Sequence, residues 1–582
     1  MRQTTIILTA IVAALTTLSS CNNAPKDGHH RLVLLTTNDV HGRFFDSTYV
    51  DGGVKKSLMA IAQLVDSVRS AEDASNVVLV DAGDCLQGDN AAYYFNYVDT
   101  TVTHVYSRIV DDMDYDALAW GNHDVETGHP VYDRVFGEMK SAGVPLLAGN
   151  AIRNDNGETY FPLYTTFRRA GLKVAVLGYT NANIRAWLDE KIWSGMHFDP
   201  IMDHVQQDVD MVRSKEKPDV VIVAMHSATG NGDGTVLEAE GLDVFRNVSG
   251  VDFVVCSHDH RPFTTQNDTM ALINSGSHCR YLGYGTLDVE VKGGKIVSRT
   301  FTVNNIPVNE HNVKAEIVAK YHPDYLKVKE FSNTVIGTLT TPLVTRDAYT
   351  GQCDYLNLIH TIGLEQSGAD ISFAAPLTFD GNVAPGTVIY EDLFTIYPYE
   401  NQMYVLSLKG SEIKDYIESS YNDWIQTYNG NGNVLLITNA ADKRFNTTRW
   451  SFVNRSYNFD SAAGIHYTVD VTKPFGSRVN ITSMASGAAF EPERKYNVVM
   501  TSYRSSGRQL QQGTGLSYDE LLGRIVFRGG YYRDAVDTYF RTHGTVGHDT
   551  FSDPAVIGSW KFIPERIAAP ALARDHALVF SK

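Results

Sequence analysis

A chain of 582 residues is longer than one ordinary domain. With 43% hydrophobic and 20% charged residues, it has the composition of a globular protein with a large core rather than a disordered or fibrous one. Its net charge of −17 excludes a broad basic face for polymeric DNA or RNA; a small phosphate ester stays within reach, because divalent cations reverse the sign of a site locally.

The first 20 residues are not fold. Arg2 precedes an apolar run from Ile6 to Leu15, too short for a permanent bilayer span and shaped like an export signal. Leu18-Ser19-Ser20-Cys21 resembles the bacterial lipobox, which implies cleavage before Cys21 and lipidation of its sulfur. The chain would then be an exported lipoprotein, periplasmic or at the cell surface. Plain signal-peptide cleavage with an incidental cysteine is the alternative. Residues 21–30 read as a polar tether. Cys85, Cys256, Cys279 and Cys353 could pair in an exported protein, in a connectivity that the sequence does not fix.

Leu32 to Leu35 reads as a buried strand that ends abruptly in Thr37-Asn38-Asp39-Val40-His41-Gly42. Alone, such an Asp-x-His pair is as well explained by an N-cap and a surface histidine. Ser57 to Ser70 has helical apolar spacing and covers a sheet face. The strand-end pattern then repeats. Val77 to Val80 runs into Asp81-Ala82-Gly83-Asp84, and Asp116 to Trp120 into Gly121-Asn122-His123-Asp124. Val220 to Met225 ends on His226, and Val251 to Val255 leads to Ser257-His258-Asp259-His260. Gly143 to Asn150 and Lys173 to Tyr179 add strands, while His197 and His204 read as solvated. Ligands collect at the carboxyl ends of strands in open α/β sheets. Oxygen and imidazole donors there suit Mn, Zn, Mg or Fe, and five coincidences are too many for chance. A hairpin, Tyr284 to Val291 and Lys295 to Val303 around Gly293-Gly294, closes the first domain.

Residues 309–345 are helical and charged, and read as a linker. Beyond it, Tyr355 to Gln366 and Glu412 to Ser420 have helical spacing. Ile371 to Ala374, Tyr404 to Leu408, Gly464 to Val471 and Tyr496 to Thr501 read as strands. Helices and strands mix without a repeating βαβ unit, an α+β texture.

The blocks TNDVHG, DAGDCLQG, GNHDVE, the lone His226 and SHDH resemble, in order, the metal-site blocks of calcineurin-like metallophosphatases. More narrowly, they resemble the secreted 5′-nucleotidase and 2′,3′-cyclic-nucleotide 2′-phosphodiesterase/3′-nucleotidase group. The resemblance implies a two-domain α+β protein. A four-layer α/β/β/α metallophosphatase sandwich (31–308) would precede an α+β substrate-binding domain (346–582). It implies two divalent ions, from among Mn, Zn, Mg, Fe and Co. Asp39, His41, Asp84 and His260 would hold one; Asp84, Asn122, His226 and His258 would hold the other, with Asp84 as the bridge. Water activated by the ions would attack phosphorus in line. His123 matches a histidine that faces the phosphoryl group instead of a metal. Glu126 stands where many relatives have an orienting aspartate, one methylene shorter, so it is expected only to tune His123. Ser257 replaces the usual glycine before the histidine pair, removing no ligand. Cys85 and Cys256, beside these blocks, are expected to be small buried thiols.

In the second domain, Pro398-Tyr399-Glu400-Asn401, Tyr457-Asn458-Phe459-Asp460 and Ser502-Tyr503-Arg504-Ser505 match the family's substrate blocks. Two aromatics would sandwich a base there: Phe459 (or its neighbour Tyr457) and Tyr503. Stacking contributes about 1–3 kcal/mol per base. Asn122 is expected to touch substrate as well as metal. Typical 5′-nucleotidases carry a Gly-Gly-Ile-Arg-like block whose arginine grips phosphate. Ala374-Ala375-Pro376-Leu377 stands in its place and looks like the cyclic phosphodiesterase/3′-nucleotidase branch; Arg504 could supply a replacement charge. The expected function is therefore a two-metal phosphohydrolase of extracytoplasmic nucleotides, 2′,3′-cyclic and 3′ in preference. A 5′-nucleotidase or UDP-sugar hydrolase is the alternative, and a non-catalytic nucleotide-binding lipoprotein the remote one. Its partners would be a nucleotide and, through Cys21, a membrane.

Overall fold

The computed structural model describes residues 24–442, 447–505 and 507–581. The export segment and Cys21 therefore lie outside the described residues. Two six-stranded sheets face each other in the first domain. One runs Lys295–Pro307, Tyr281–Lys292, Gly28–Thr37, Val77–Asp81, Ala117–Ala119, Leu146–Leu147. The other runs Pro262–Gln266, Ala271–Ser275, Phe253–Val255, Val220–His226, Leu172–Thr180, Tyr164–Arg169. The central strands of both are parallel, from Gly28–Thr37 through Leu146–Leu147 and from Leu172–Thr180 through Ala271–Ser275.

Strand alternation builds the layers. Leu32, Leu34, Val78 and Val80 point inward to meet Val174, Val176, Ile222 and Ala224 between the sheets. Val33, Leu35 and Leu79 point outward under the helices Leu58–Glu72, Val105–Asp112 and His129–Ser141. Ala175, Val221 and Val254 do the same beneath Ile201–Glu216 and Gly241–Asn247. The result is the α/β/β/α order expected from the resemblance. Burial on both faces explains why these strands read as unbroken apolar runs.

The segment expected to be a linker divides between the two domains. Its helix, Ala315–Ser332, packs Tyr321 and Val328 into the first domain's outer core. Asp324 pairs with Arg108 at 2.9 Å and Lys327 with Asp99 at 3.0 Å. The Lys327 pair is solvent-exposed and adds little stability, so the apolar stripe and the half-buried Arg108–Asp324 pair hold the helix in place. Val335–Leu339 already belongs to the second domain, paired with Gly386–Ile389 and Thr545–Val546. The chain crosses between domains at Asn333-Thr334.

The second domain centres on a five-stranded sheet ordered Ser461–Ala463, Ile371–Ala374, Lys495–Thr501, Gln402–Lys409, Ile525–Tyr531. Helices Asp354–Ser367 and Gly410–Trp424 cover it. Beside it lies a three-stranded sheet of Val479–Met484, Ile465–Asp470 and Gly558–Ile563. Cys85, Cys256, Cys279 and Cys353 are free thiols, and the first three are buried.

Candidate metal centre and the neighbouring aromatics

Every polar strand end of the first domain opens at one place. Asp39 and His41 follow Gly28–Thr37, Asp84 follows Val77–Asp81, and Asn122 opens the short helix after Ala117–Ala119. His226 ends its strand, and His258 and His260 follow Phe253–Val255. Asp39, His41, Asp84, His258 and His260 have φ of 48°, 50°, 63°, 68° and 59°. Non-glycine residues rarely adopt these values, and each costs of order 1–3 kcal/mol. Strain concentrated on donor residues marks a site held for function. Glycine is required where the loops meet: a Cβ on Gly83 (φ 91°) would lie 2.6 Å from the Gly121 nitrogen, and one on Gly121 would lie 2.2 Å from the Asp84 nitrogen.

Two donor groups result, Asp39/His41/His260 and Asp84/His226/His258, each with its ligand atoms within 4.8 Å of one another. In the first, His41 Nε2 lies 3.0 Å from His260 Nε2, and His260 Nε2 lies 3.4 Å from Asp39 Oδ1. In the second, His226 Nε2 faces Asp84 Oδ2 at 3.0 Å. Asp39 Oδ1, Asp84 Oδ2 and His226 Nε2 are buried without a hydrogen-bond partner. Such orphans cost free energy unless a cation satisfies them. The outer nitrogens are already committed: His226 Nδ1 meets the Ala82 carbonyl at 2.8 Å and His41 Nδ1 the Gln87 carbonyl at 3.2 Å. That arrangement turns both Nε2 lone pairs inward, as metal-bound histidines require. Burial, reinforced by neighbouring histidines, pushes His41 and His258 down to about 3, so both are neutral donors. The donor set fits two divalent cations.

Several supporting residues went unread in the sequence. Asn38 donates to Asp39 Oδ2 at 2.6 Å and to the Gly276 carbonyl at 2.6 Å, tying the first loop to the last. Asp124 accepts the backbone N–H groups of Asp84, Cys85, Leu86 and Gly121 at 2.8–3.0 Å and so moulds the Asp84 loop. It stands inside a quoted block, yet only the fold shows what it holds. Ser257, noted as a departure, places its hydroxyl 3.0 Å from His226 Nδ1 and donates to the Met225 carbonyl. Asn181 donates to Asn122 Oδ1 at 3.2 Å. Trp187 stacks on His258 (5.5 Å, 21°), and His278 stacks on His41 (5.1 Å, 27°).

His123 lies beside both groups, 5.5 Å from the His41 ring, and its backbone N–H donates to Asp84 Oδ1 at 2.8 Å. Its Nδ1 contacts Glu126 Oε2 at 2.6 Å. The longer glutamate arm thus reaches the imidazole. Burial disfavours the charged ring, but the Asp84 and Glu126 carboxylates outweigh it and lift His123 to about 9. Cations on Asp84 would draw that value back down.

The second domain packs on the loop beside this opening, the one whose Trp187 stacks on His258. Its helix Ser502–Ser505 packs against Ile184–Trp187, Tyr404 donates to Asp189 at 2.9 Å, and Arg528 pairs with Asp189 at 3.0 Å. The structure corrects the aromatic expectation. Phe459 is wholly buried, stacked on Trp424 at 5.5 Å and 4°, and is core. Its alternate, Tyr457, stands two residues earlier, on a short 3-10 turn, Ser456–Asn458. Its ring lies 6.4 Å from that of Tyr503, which is 38% exposed. Partial desolvation and then the adjoining Tyr457 hold the Tyr503 hydroxyl above the usual tyrosine range, with Tyr399 also near. Tyr399, from the Pro398-Tyr399-Glu400-Asn401 block, is thus a third aromatic beside Tyr503. Arg504 is corrected too: it is 4% exposed and ion-paired to Asp460 at 2.7 Å, so it is not a free phosphate grip. Ala374 and Ala375 are buried, and Ala374 pairs with Ser461, next to the Asp460–Arg504 ion pair.

Comparison with known proteins agrees with this architecture. The calcineurin-like phosphoesterase family matches residues 32–262, and the 5′-nucleotidase C-terminal domain matches residues 335–513. The trifunctional nucleotide phosphoesterase YfkN of Bacillus subtilis is 24% identical over 549 residues, covering 82% of this chain; the chain spans 36% of that longer protein. A 5′-nucleotidase of Vibrio vulnificus is 24% identical over 469 residues, 72% of this chain and 81% of the relative. A Staphylococcus aureus protein described as a 5′-nucleotidase superposes with a TM-score of 0.74 at 19% identity, over 91% of this chain and 99% of that one. At that identity the likeness establishes the fold.

Proposed function

We infer a phosphoester-hydrolase function for this chain, which belongs to the proteins that join a calcineurin-like phosphoesterase domain to a 5′-nucleotidase C-terminal domain. From that premise we propose that it hydrolyses nucleotides with two divalent ions, favouring 2′,3′-cyclic and 3′-nucleotides. The observation that carries the proposal is the convergence of two donor groups in the first domain, beside a loop on which the Tyr503-bearing helix of the second domain packs.

In the proposed ligand set, Asp39, His41, Asp84 and His260 hold one ion, and Asp84, Asn122, His226 and His258 the other. Bound there, the ions supply Lewis-acid charge for a phosphoryl group and lower the pKa of water. Asn122, held by Asn181, fixes the mouth of the site from its helix start. His123 keeps a proton available at Nε2 for the phosphoryl or leaving oxygen while Glu126 holds Nδ1. Tyr457 and Tyr503 take the base, and the second domain keeps bulk water from the reacting centre. The preference for cyclic and 3′ substrates rests on the buried Ala374-Ala375-Pro376 strand end and the engaged Arg504, which leave both expected positions without a free cation for a 5′-phosphate. A 5′-nucleotidase reading has its own support in relatives of that name.

The test is phosphate release by the full chain from 2′,3′-cyclic AMP, 3′-AMP, 5′-AMP and UDP-glucose, with Mn or with EDTA. A phosphomonoesterase is added in parallel to expose hidden diester opening. EDTA-sensitive turnover led by the cyclic and 3′ substrates is expected; turnover led by 5′-AMP would keep the ions and discard the preference.

The proposal extends to export and lipid anchoring at Cys21, on the strength of the Leu-Ser-Ser-Cys sequence. Among the described residues no helix is long and apolar enough to cross a membrane. Cys21→Ser is expected to move the protein from the membrane fraction to the soluble extract; retention in the membrane fraction would refute the anchor.

A further inference from the structure

Arg504 is among the most buried charges in the second domain, yet it sits one residue from the exposed Tyr503. Its guanidinium joins two pieces of chain, residues 457–460 and Gln509, and reaches a third, helix Gly410–Trp424, through Asp460. Nε pairs with Asp460 Oδ2 at 2.7 Å, and that carboxylate also accepts the Tyr416 hydroxyl from helix Gly410–Trp424. Nη2 donates to the Tyr457 carbonyl at 3.1 Å and to Asn458 Oδ1 at 3.2 Å. Nη1 donates to Gln509 Oε1, and Gln509 Nε2 returns to the Asn458 carbonyl at 2.7 Å. The guanidinium also lies 5.7 Å from the Tyr503 ring centre.

We propose that Arg504 is a positioning residue for nucleobase recognition, setting the relative placement of Tyr457 and Tyr503, whose rings meet edge to face at 6.4 Å and 80°, by fixing the turn that carries one and the helix that carries the other. The inference rests on the reading that these tyrosines hold the base. The geometry favours it over a purely structural ion pair. Two of the Arg504 donors end on residues 457 and 458, the turn itself, and a planar five-donor fork is the side chain able to meet three partners at fixed angles. Tyr457 is anchored through its own carbonyl, so a shift of the guanidinium moves the turn that carries the ring. Lysine, a single point of charge, cannot span the same partners.

The test compares nucleotide affinity with affinity for a ligand that lacks a base. Removing Arg504 alone would strand the buried Asp460 charge, so the variant is Arg504→Met combined with Asp460→Asn. KM for 3′-AMP and Kd for adenosine are expected to rise about tenfold or more, the scale of one lost stacking partner. The inhibition constant of inorganic phosphate should hold within about twofold, and kcat should fall far less than KM rises. Gln509→Ala leaves the ion pair intact and is expected to give a smaller rise of the same selectivity. It decides the matter if the double variant does not fold. Unchanged adenosine affinity in a folded variant would overturn the inference, as would equal losses for adenosine and phosphate. Tyr457→Leu and Tyr503→Leu separate the two levels: if they weaken adenosine binding and the Arg504 and Gln509 variants do not, only this inference falls. If they change nothing, the base-site reading falls and takes the inference with it.

Discussion

Asp84→Asn is expected to lower phosphate release by at least about a thousandfold, the scale of removing metal-borne transition-state charge, and to leave less than one tightly held Mn per chain. Asp84 is 1% exposed. Its Oδ2 faces His226 at 3.0 Å without a hydrogen-bond partner, and its Oδ1 accepts the His123 N–H. In the proposed ligand set it is shared by both ions, so losing its charge weakens both sites at once. Loss of Asp39 or His258 should spare one site. Asparagine keeps the shape and the acceptor for His123 N–H, so a loss cannot be attributed to collapse of the 82–88 loop. Elemental analysis after dialysis, beside a thermal melt, checks the outcome. Wild-type turnover with two bound ions would remove Asp84 from the centre of the site.

His123→Ala should behave differently. A fall in kcat of about 10²–10⁴, the usual worth of a positioned acid or base, is expected with two ions still bound. The ring is adjacent to both donor groups but belongs to neither. Glu126 contacts Nδ1 at 2.6 Å and is largely buried, so Glu126→Gln should cost about ten- to a hundredfold, as groups that orient a working side chain commonly do. Its effect should vanish in a His123→Ala background, which a double-mutant cycle reads directly. If Glu126→Ala lost as much as His123→Ala, the glutamate would be an equal partner in the chemistry rather than a tuner.

The candidate donor residues were legible because each sits at an abrupt switch from apolar strand to polar loop, and parallel packing brings all such ends to one edge. The same logic found Ile371–Ala374 to the residue and the helix Asp354–Ser367 to within a residue at each end. What stayed hidden depends on contacts remote in sequence. In Tyr457-Asn458-Phe459 either aromatic could face out; Trp424, 35 positions before Phe459, takes it as a stacking partner and leaves Tyr457 on the turn. Arg504 gave no direction until Asp460, Tyr457 and Gln509 surrounded it. The helix Ala315–Ser332 looked like a linker because its charges suggest solvent. Tyr321 and Val328 dock it on the first domain beside Asp99 and Arg108. Asp124 was visible as a letter in a motif, but its four backbone N–H partners are a property of the folded loop.

Titrating Mn into the metal-stripped full chain, while following bound ion and phosphate release from 3′-AMP together, bears most directly on the two-ion site. Two equivalents should bind, and activity should appear only as the second site fills. Full activity in the stripped protein, or saturation with no ion bound at Asp39, His41 and His260, would contradict it.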